Sequence, residues 1–193
     1  LLDRNIIDLL IDRAGLDLPR AEAMILVETD GCTRPEVDFQ MARVIDVFRR
    51  SGAVEIKKAA SSEEAEELWK ARRAMGAILA RLRPNFLVED VTVPISRLTD
   101  LIRGIEGISE KYDLEIINFG HAGDGNLHPH LMYDGTRPGE VEKVEKASAE
   151  LFALACKLGG TLSGEHGIGL AKAPFMGLEH DPVAMEMMRS LKR

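Results

Sequence analysis

Three of the five histidines fall within one short stretch, Gly120-His121-Ala122-Gly123-Asp124-Gly125-Asn126-Leu127-His128-Pro129-His130. If Asp124-Gly125-Asn126 turns the chain as a hairpin, His121 leaves one strand as His128 enters the next. Alternation then puts His130 on the same face as His128. Converging neutral imidazoles suit a divalent transition metal, above all Zn²⁺, but need one or two further ligands. The same spacing also reads as exposed hairpin histidines. A second concentration, Gly159-Gly160-Thr161-Leu162-Ser163-Gly164-Glu165-His166-Gly167-Ile168-Gly169, sets an acid beside an imidazole among glycines. Such a run either turns sharply or lets something approach closely. Glu165 is available to join His121 and His128 as a carboxylate ligand. That assignment leaves His166, an imidazole suited to proton transfer near neutrality, free for acid–base work. The plainer alternative is a Gly-rich turn before a helix. Gly164, Gly167 and Gly169 do not have the GxGxxG spacing of a dinucleotide fingerprint.

Arg72 is the third informative position. On a helix it falls inside the apolar stripe, between Trp69 and Gly76. A guanidinium there must meet a carboxylate or face a polar cleft, because burying it unpaired is costly. A salt bridge within the chain satisfies this, and so does an anionic substrate gripped bidentately. Arg73, Arg81 and Arg83 lie on other faces and read as solvated surface.

The elements that must position these groups are legible from periodicity and turn chemistry. Residues 2–11 form an amphipathic helix pattern, and residues 23–28 a short apolar strand stopped by Asp30-Gly31. Thr33 and Glu36 have capping-box spacing before a stripe of Val37, Met41, Val44, Ile45 and Phe48. A strand at residues 53–57 would close a β-α-β unit. Ser61 and Glu64 open a long helix running to about residue 82. Residues 87–93 read as a strand ended by Pro94. The next helix carries Leu98, Leu101, Ile102, Ile105 and Ile108. Residues 114–119 and 127–133 are the hairpin strands, followed by a helix carrying Val141, Val144, Leu151, Leu154 and Leu158. Asp181-Pro182 starts a last short helix. This mixture predicts an α+β fold, ferredoxin-like, with an antiparallel sheet covered by helices in a single domain.

Composition narrows the function classes. The chain has 193 residues, 45% apolar and 30% charged, so a substantial core is within reach and a disordered polyelectrolyte is excluded. A net charge of −7 argues against a general nucleic-acid binder. No apolar run is long enough to span a bilayer. Cys32 and Cys156 are far apart and form no metal-binding pair, which favours a reducing, cytoplasmic setting. The first residue is Leu1 and no signal peptide is evident, which suggests a piece of something larger.

Taken in order, His121-x-Gly-Asp-Gly-Asn-Leu-His128 and Ser163-Gly-Glu165-His166-Gly-Ile-Gly resemble the C-terminal domain of FAD-linked oxidases. The group is the glycolate oxidase, D-lactate dehydrogenase and D-2-hydroxyglutarate dehydrogenase branch of the vanillyl-alcohol oxidase flavoproteins. Trp69-x-x-Arg72, Glu89-Asp90-Val91-Thr92-Val93-Pro94 and Leu26-Val27-Glu28-x-Asp30-Gly31 fit the same order. The similarity runs from about residue 20 to residue 176.

The resemblance implies a substrate or cap domain whose FAD is held mainly by an N-terminal domain absent from this chain. The reaction it implies is oxidation of a 2-hydroxy acid, with hydride passing to the flavin. By position, His121, His128 and Glu165 match metal ligands, His166 the histidine that contacts the substrate hydroxyl, and Arg72 the arginine that binds its carboxylate. His130 takes the place of a substrate-contacting Asn, as a substrate contact or additional ligand. Val88-Glu89 stand where hydroxyglutarate enzymes carry a Lys, which favours a smaller acid such as glycolate or D-lactate. The family's C-terminal tail beside the flavin is missing after Arg193, so the chain alone is expected neither to bind FAD tightly nor to turn over substrate. The implied partners are the FAD-binding domain and an electron-accepting subunit, with peripheral inner-membrane association through partner subunits. Two other classes compete: a zinc hydrolase, which would use the same His and Glu ligands but lacks HExxH, and a non-catalytic α+β ligand-binding module.

Overall fold

A computed structural model describes residues 1–79, 81 and 84–192. A two-residue strand, β1 (Leu2–Asp3), passes directly into α1 (Arg4–Ala14). Asp3 makes that switch: its carboxylate accepts from the Ile6 N–H at 2.9 Å and caps the helix. Gly15 ends α1 at φ +67°, returning its N–H to the carbonyl of Leu10. The strand β2 (Ala23–Met24) pairs with β1, Leu2 against Met24 and Asp3 against Ala23. The strand expected over residues 23–28 is therefore cut to two residues. Its partner turns into a helix at Arg4, so nothing remains for Ile25 or Val27 to pair with.

Two long helices follow, α2 (Arg34–Arg50) and α3 (Ser62–Leu79). At the first, Thr33 makes no side-chain cap, and Glu36 instead accepts from the Cys32 N–H at 3.1 Å. At the second, Ser61 accepts from the Glu64 N–H at 3.3 Å while Glu64 reaches back to the Ala60 N–H at 2.8 Å. The strand expected at residues 53–57, and the β-α-β unit it would close, do not form. That segment has no strand partner among the described residues, and Val54 is 83% exposed. The α2 stripe is only half-buried.

The rest of the sheet is β3 (Asn85–Val88), β4 (Val91–Thr92), β5 (Glu115–His121) and β6 (Asn126–Tyr133). All pairings are antiparallel, in the order β2-β1-β5-β6-β3, with β4 also on β6. The single strand expected at residues 87–93 is two segments in one register, Val88 opposite His130 and Val91 opposite Leu127. Between them lies Pro129, which has no N–H to give the ladder, although its carbonyl still accepts from the Glu89 N–H at 2.9 Å.

A short 3₁₀ turn leads into α4 (Leu98–Tyr112), and α5 (Glu140–Lys157) and α6 (Pro182–Leu191) complete the chain. The α4 and α5 stripes bury Leu101, Ile105, Ile108, Val144, Leu151 and Phe152 against Ile116, Leu127 and Leu131 of the sheet. The opposite face meets α1 and the C-terminal half of α3, where Ile6, Leu10, Met75 and Leu79 surround Ile117, Phe119 and Met132. The fold is thus α+β, an antiparallel sheet covered by helices, as the pattern implied. Met187 and Met188 on α6 are exposed. No helix of the described residues is long and apolar enough to cross a membrane.

Asp3 also accepts from the backbone and side-chain amides of Asn118, at 3.0 and 2.7 Å. It is 5% exposed, and burial outweighs these donors, pushing its carboxyl up to about 6 from 3.8. The folded chain therefore takes up a proton before the unfolded one does. Through this group stability rises as pH falls through 6 and levels off near 3.8. Urea titrations at about pH 7 and about pH 5 should show a gain of roughly 1 kcal/mol from this group. In Asp3→Asn that gain should vanish, although the variant is less stable at both values.

Candidate functional site

The hairpin brings the histidines together. Its turn closes with the Asp124 N–H on the carbonyl of His121 at 3.1 Å. Gly125 sits at φ +68°, where a Cβ would also overlap the carbonyl oxygen of Val93. His121 pairs with Asn126, and Phe119 with His128. Strand alternation and register then place Phe119, His121, Asn126, His128 and His130 on one sheet face, with Asp90 and Thr92 beside them. The rings of His121 and His128 lie 5.4 Å apart, edge to face.

The Gly-rich stretch 159–169 closes over this row. Thr161 bridges to Thr92, with its N–H on the Thr92 carbonyl at 2.8 Å. Gly164 passes so close to Asn126 and Thr92 that a Cβ would collide with both side chains. Glu165 arrives with Oε1 at 2.9 Å from Nε2 of His128 and 3.5 Å from Nε2 of His121. The three potential ligand atoms lie within 4.8 Å of one another. The ring of His166 stacks on His128 at 4.9 Å and 4°. His128 is nearly buried, whereas His121, Glu165 and His166 are exposed.

What fixes this loop is Asp90, which is fully buried. One oxygen accepts from Asn126 Nδ2 at 2.6 Å. The other accepts from Ser163 Oγ at 2.6 Å and from the N–H groups of Glu165 and His166 at 3.0 and 2.9 Å. Burial alone would raise this carboxyl, but those donors outweigh it and hold Asp90 well below the usual carboxylate range. Behind it, Lys172 is buried and donates to the carbonyls of Asp90 and Leu162 at 2.6 and 2.7 Å. Burial lowers its ammonium pKa and raises that of neighbouring Glu89.

Asp90 and Lys172 are the residues that sequence reasoning missed as site-builders. The available signal was the acidic pair Glu89-Asp90 inside an apolar strand run, which demands strong partners wherever it is buried. Nothing in the sequence marks Lys172.

His128 is pushed down, first by burial, with the nearby carboxylates opposing. Its Nδ1 is buried without a hydrogen-bond partner, 3.8 Å from Asp90 Oδ1. His130 is 5% exposed, and its Nδ1 lies 2.7 Å from the carbonyl of His128, a contact that requires the proton on Nδ1. Burial, opposed by that hydrogen bond, lowers its pKa to about 4, so it is a neutral imidazole. It is not in the His121, His128, Glu165 group; its ring stacks on Phe119 at 4.4 Å.

Arg72 is half-buried, with its guanidinium carbon 4.7 Å from the Phe119 ring centre, and burial lowers its pKa. No ion pair to it is found among the described residues, so the salt-bridge alternative receives no support. Arg73 instead pairs with Glu66 at 3.0 Å, Arg81 is exposed, and Arg83 lies outside the described residues.

Residues 1–193 match the model for FAD linked oxidases, C-terminal domain. The chain belongs to that family. Within it, the chain is 40% identical over 192 residues to the glycolate oxidase subunit GlcD of Bacillus subtilis (strain 168), covering 99% of this chain and 41% of that protein. It is 36% identical over 152 residues to GlcD of Escherichia coli (strain K12), covering 79% and 30%. It is also 36% identical over 143 residues to a D-lactate dehydrogenase of Archaeoglobus fulgidus, covering 73% and 30%. The chain thus spans less than half the length of these relatives.

Replacing Asp90 by Ala would strand four donors from Asn126, Ser163, Glu165 and His166. We expect a loss of about 3 kcal/mol in urea unfolding. Amide hydrogen exchange at residues 163–167 should quicken well before the core opens.

Proposed function

We propose that this chain is the substrate-side domain of an FAD-dependent 2-hydroxy-acid dehydrogenase acting on a small monocarboxylic acid of the glycolate or D-lactate type. The observation that carries the reading is one sheet face on which Arg72, over Phe119, neighbours the His121, His128, Glu165 cluster and His166. A cation for a carboxylate thus stands near a group able to take the hydroxyl proton. The family membership supports FAD as the redox group. The glycine spacing offers no nucleotide fingerprint, so the nucleotide would be held by another domain.

In this reading Arg72 binds the substrate carboxylate and fixes the orientation of the α-hydrogen. The exposed ring of His166 accepts the hydroxyl proton. His128 and Asp90 hold that ring and its backbone in place from below. The products are the 2-oxo acid, a proton on His166 and a hydride equivalent. The redox chemistry, as acceptor of that hydride, would be supplied by FAD when bound.

Two neutral-capable imidazoles and a carboxylate with mutually close ligand atoms fit a divalent ion such as Zn²⁺. The orphaned His128 Nδ1, facing the Asp90 carboxylate, fits a histidine that ligates through Nε2. His121, His128 and Glu165 would hold that ion, which would supply Lewis-acid polarisation of the substrate's hydroxyl and carboxylate. The name "subunit" borne by the GlcD relatives supports partner subunits, and we assign one of them the role of electron acceptor. We place the protein in the cytoplasm, with peripheral membrane association through such partners.

The complete protein that carries this domain should be yellow and should reduce an artificial electron acceptor with a D-2-hydroxy acid. A colourless protein would sink the reading. In that protein, His166→Gln should lower kcat by about 10²- to 10⁴-fold with flavin content unchanged. Metal analysis should find about one divalent ion per chain, lost in His121→Ala and in Glu165→Ala. Metal-free but active enzyme would remove the ligand assignment.

A further inference from the structure

We infer that Phe119 is a positioning residue that acts through Arg72: its ring sets where the guanidinium stands, and so where the carboxylate of the substrate is held. The inference rests on the reading of Arg72 as the carboxylate anchor.

Three observations lead to it. First, Arg72 and Met75 lie three residues apart, on one face of α3. Met75 and Leu79 are fully buried in the same apolar cluster as Phe119. The docking of α3 thus delivers Arg72 onto that ring. Second, Phe119 is itself immobilised. It is 7% exposed, belongs to the buried cluster that includes Ile6, Ile117 and Met132, and is stacked by His130 at 4.4 Å. Third, no carboxylate pairs with Arg72 among the described residues, yet its guanidinium carbon lies 4.7 Å from the Phe119 ring centre.

An arginine side chain left to itself has many rotamers and loses considerable entropy when fixed. A carboxylate partner would order it but would also neutralise it and occupy its donors. An aromatic ring orders it through cation–π attraction and leaves the charge and N–H donors for an incoming anion. A group that must be both fixed and unpaired before substrate arrives is well served by such a neighbour.

The experiment is a double-mutant cycle in the complete flavoprotein, with KM and kcat for a 2-hydroxy acid as readouts and flavin content and urea midpoint as fold controls. Phe119→Leu should raise KM by about five- to tenfold with kcat within about twofold. Phe119→Met, closer in volume, serves the same purpose should the leucine variant lose flavin, and Phe119→Tyr should restore KM to within about twofold. In an Arg72→Met background, Phe119→Leu should change KM by less than about twofold, because the ring then has nothing to position. Equal multiplication of KM in both backgrounds would overturn the inference, since a generally loosened site behaves that way. Unchanged KM in Phe119→Leu or Phe119→Met, beside a raised KM in Arg72→Met, would overturn it and leave the proposed function standing. Unchanged KM in Arg72→Met would remove the carboxylate-anchor reading and this inference together.

Discussion

The buried carboxylate of Asp90 ties the hairpin to the Gly-rich loop at the centre of the site. One of its oxygens faces the hairpin, through Asn126, and the other faces the Gly-rich loop, through Ser163 and two successive backbone amides. A charge taken this far from water is tolerable only with several good donors, and Asp90 has four. Charge-assisted hydrogen bonds to backbone N–H groups are strong and directional, so the loop is located by its peptide groups. That leaves the side chains of Glu165 and His166 free to reach the solvent side. Without such an anchor, a glycine-flanked segment would have ample freedom to wander and no geometry to offer.

The two faces of the sheet divide the work. Beneath α4 and α5 lies the larger core, with Lys172 buried near Phe152 and capping the carbonyls of Asp90 and Leu162. On the other face, α1 and the end of α3 cover the sheet up to Phe119 and stop. Beyond that point the row continues as His128 and His121, where polar rings replace aliphatic ones and the surface opens. The boundary between packed core and open site therefore runs through Phe119. One side of this residue belongs to the apolar cluster, and its ring also meets Arg72 and His130. Stability and site construction are continuous here, because the helix that completes the core also carries the cation.

The parts legible in the sequence were those whose partners are near in the chain or repeat with a period. The hairpin followed from Asp124-Gly125, and with it the meeting of His121 and His128. The α4 and α5 stripes followed from spacing alone. What stayed hidden depends on distant segments. Residues 53–57 have the composition of a strand but no edge to pair with, a fact settled elsewhere in the fold. The residue 87–93 strand could be read, but not the descent of Asp90 from it, since its donors lie 36 to 76 positions further on. Lys172 gives no local sign of burial. Arg72 could be seen to need a partner, but an aromatic ring 47 residues away was not the partner that charge alone suggests (119 − 72).

In the proposed function, charge placement lets an acidic chain serve a small anion. The carboxylates nearest the site are either committed or drawn toward nitrogen. Asp90 is saturated with donors, and Glu165 points at two imidazoles. Burial pushes His128 and His130 towards their neutral forms, so these rings offer lone pairs instead of extra positive charge. Arg72 is left with its charge and no acidic neighbour among the described residues. An entering carboxylate would then meet one oriented cation, while its hydroxyl meets a row of imidazoles. A cationic or neutral organic ligand would find no comparable complement at Arg72, and this asymmetry is set by the burial of each group more than by the net charge of −7.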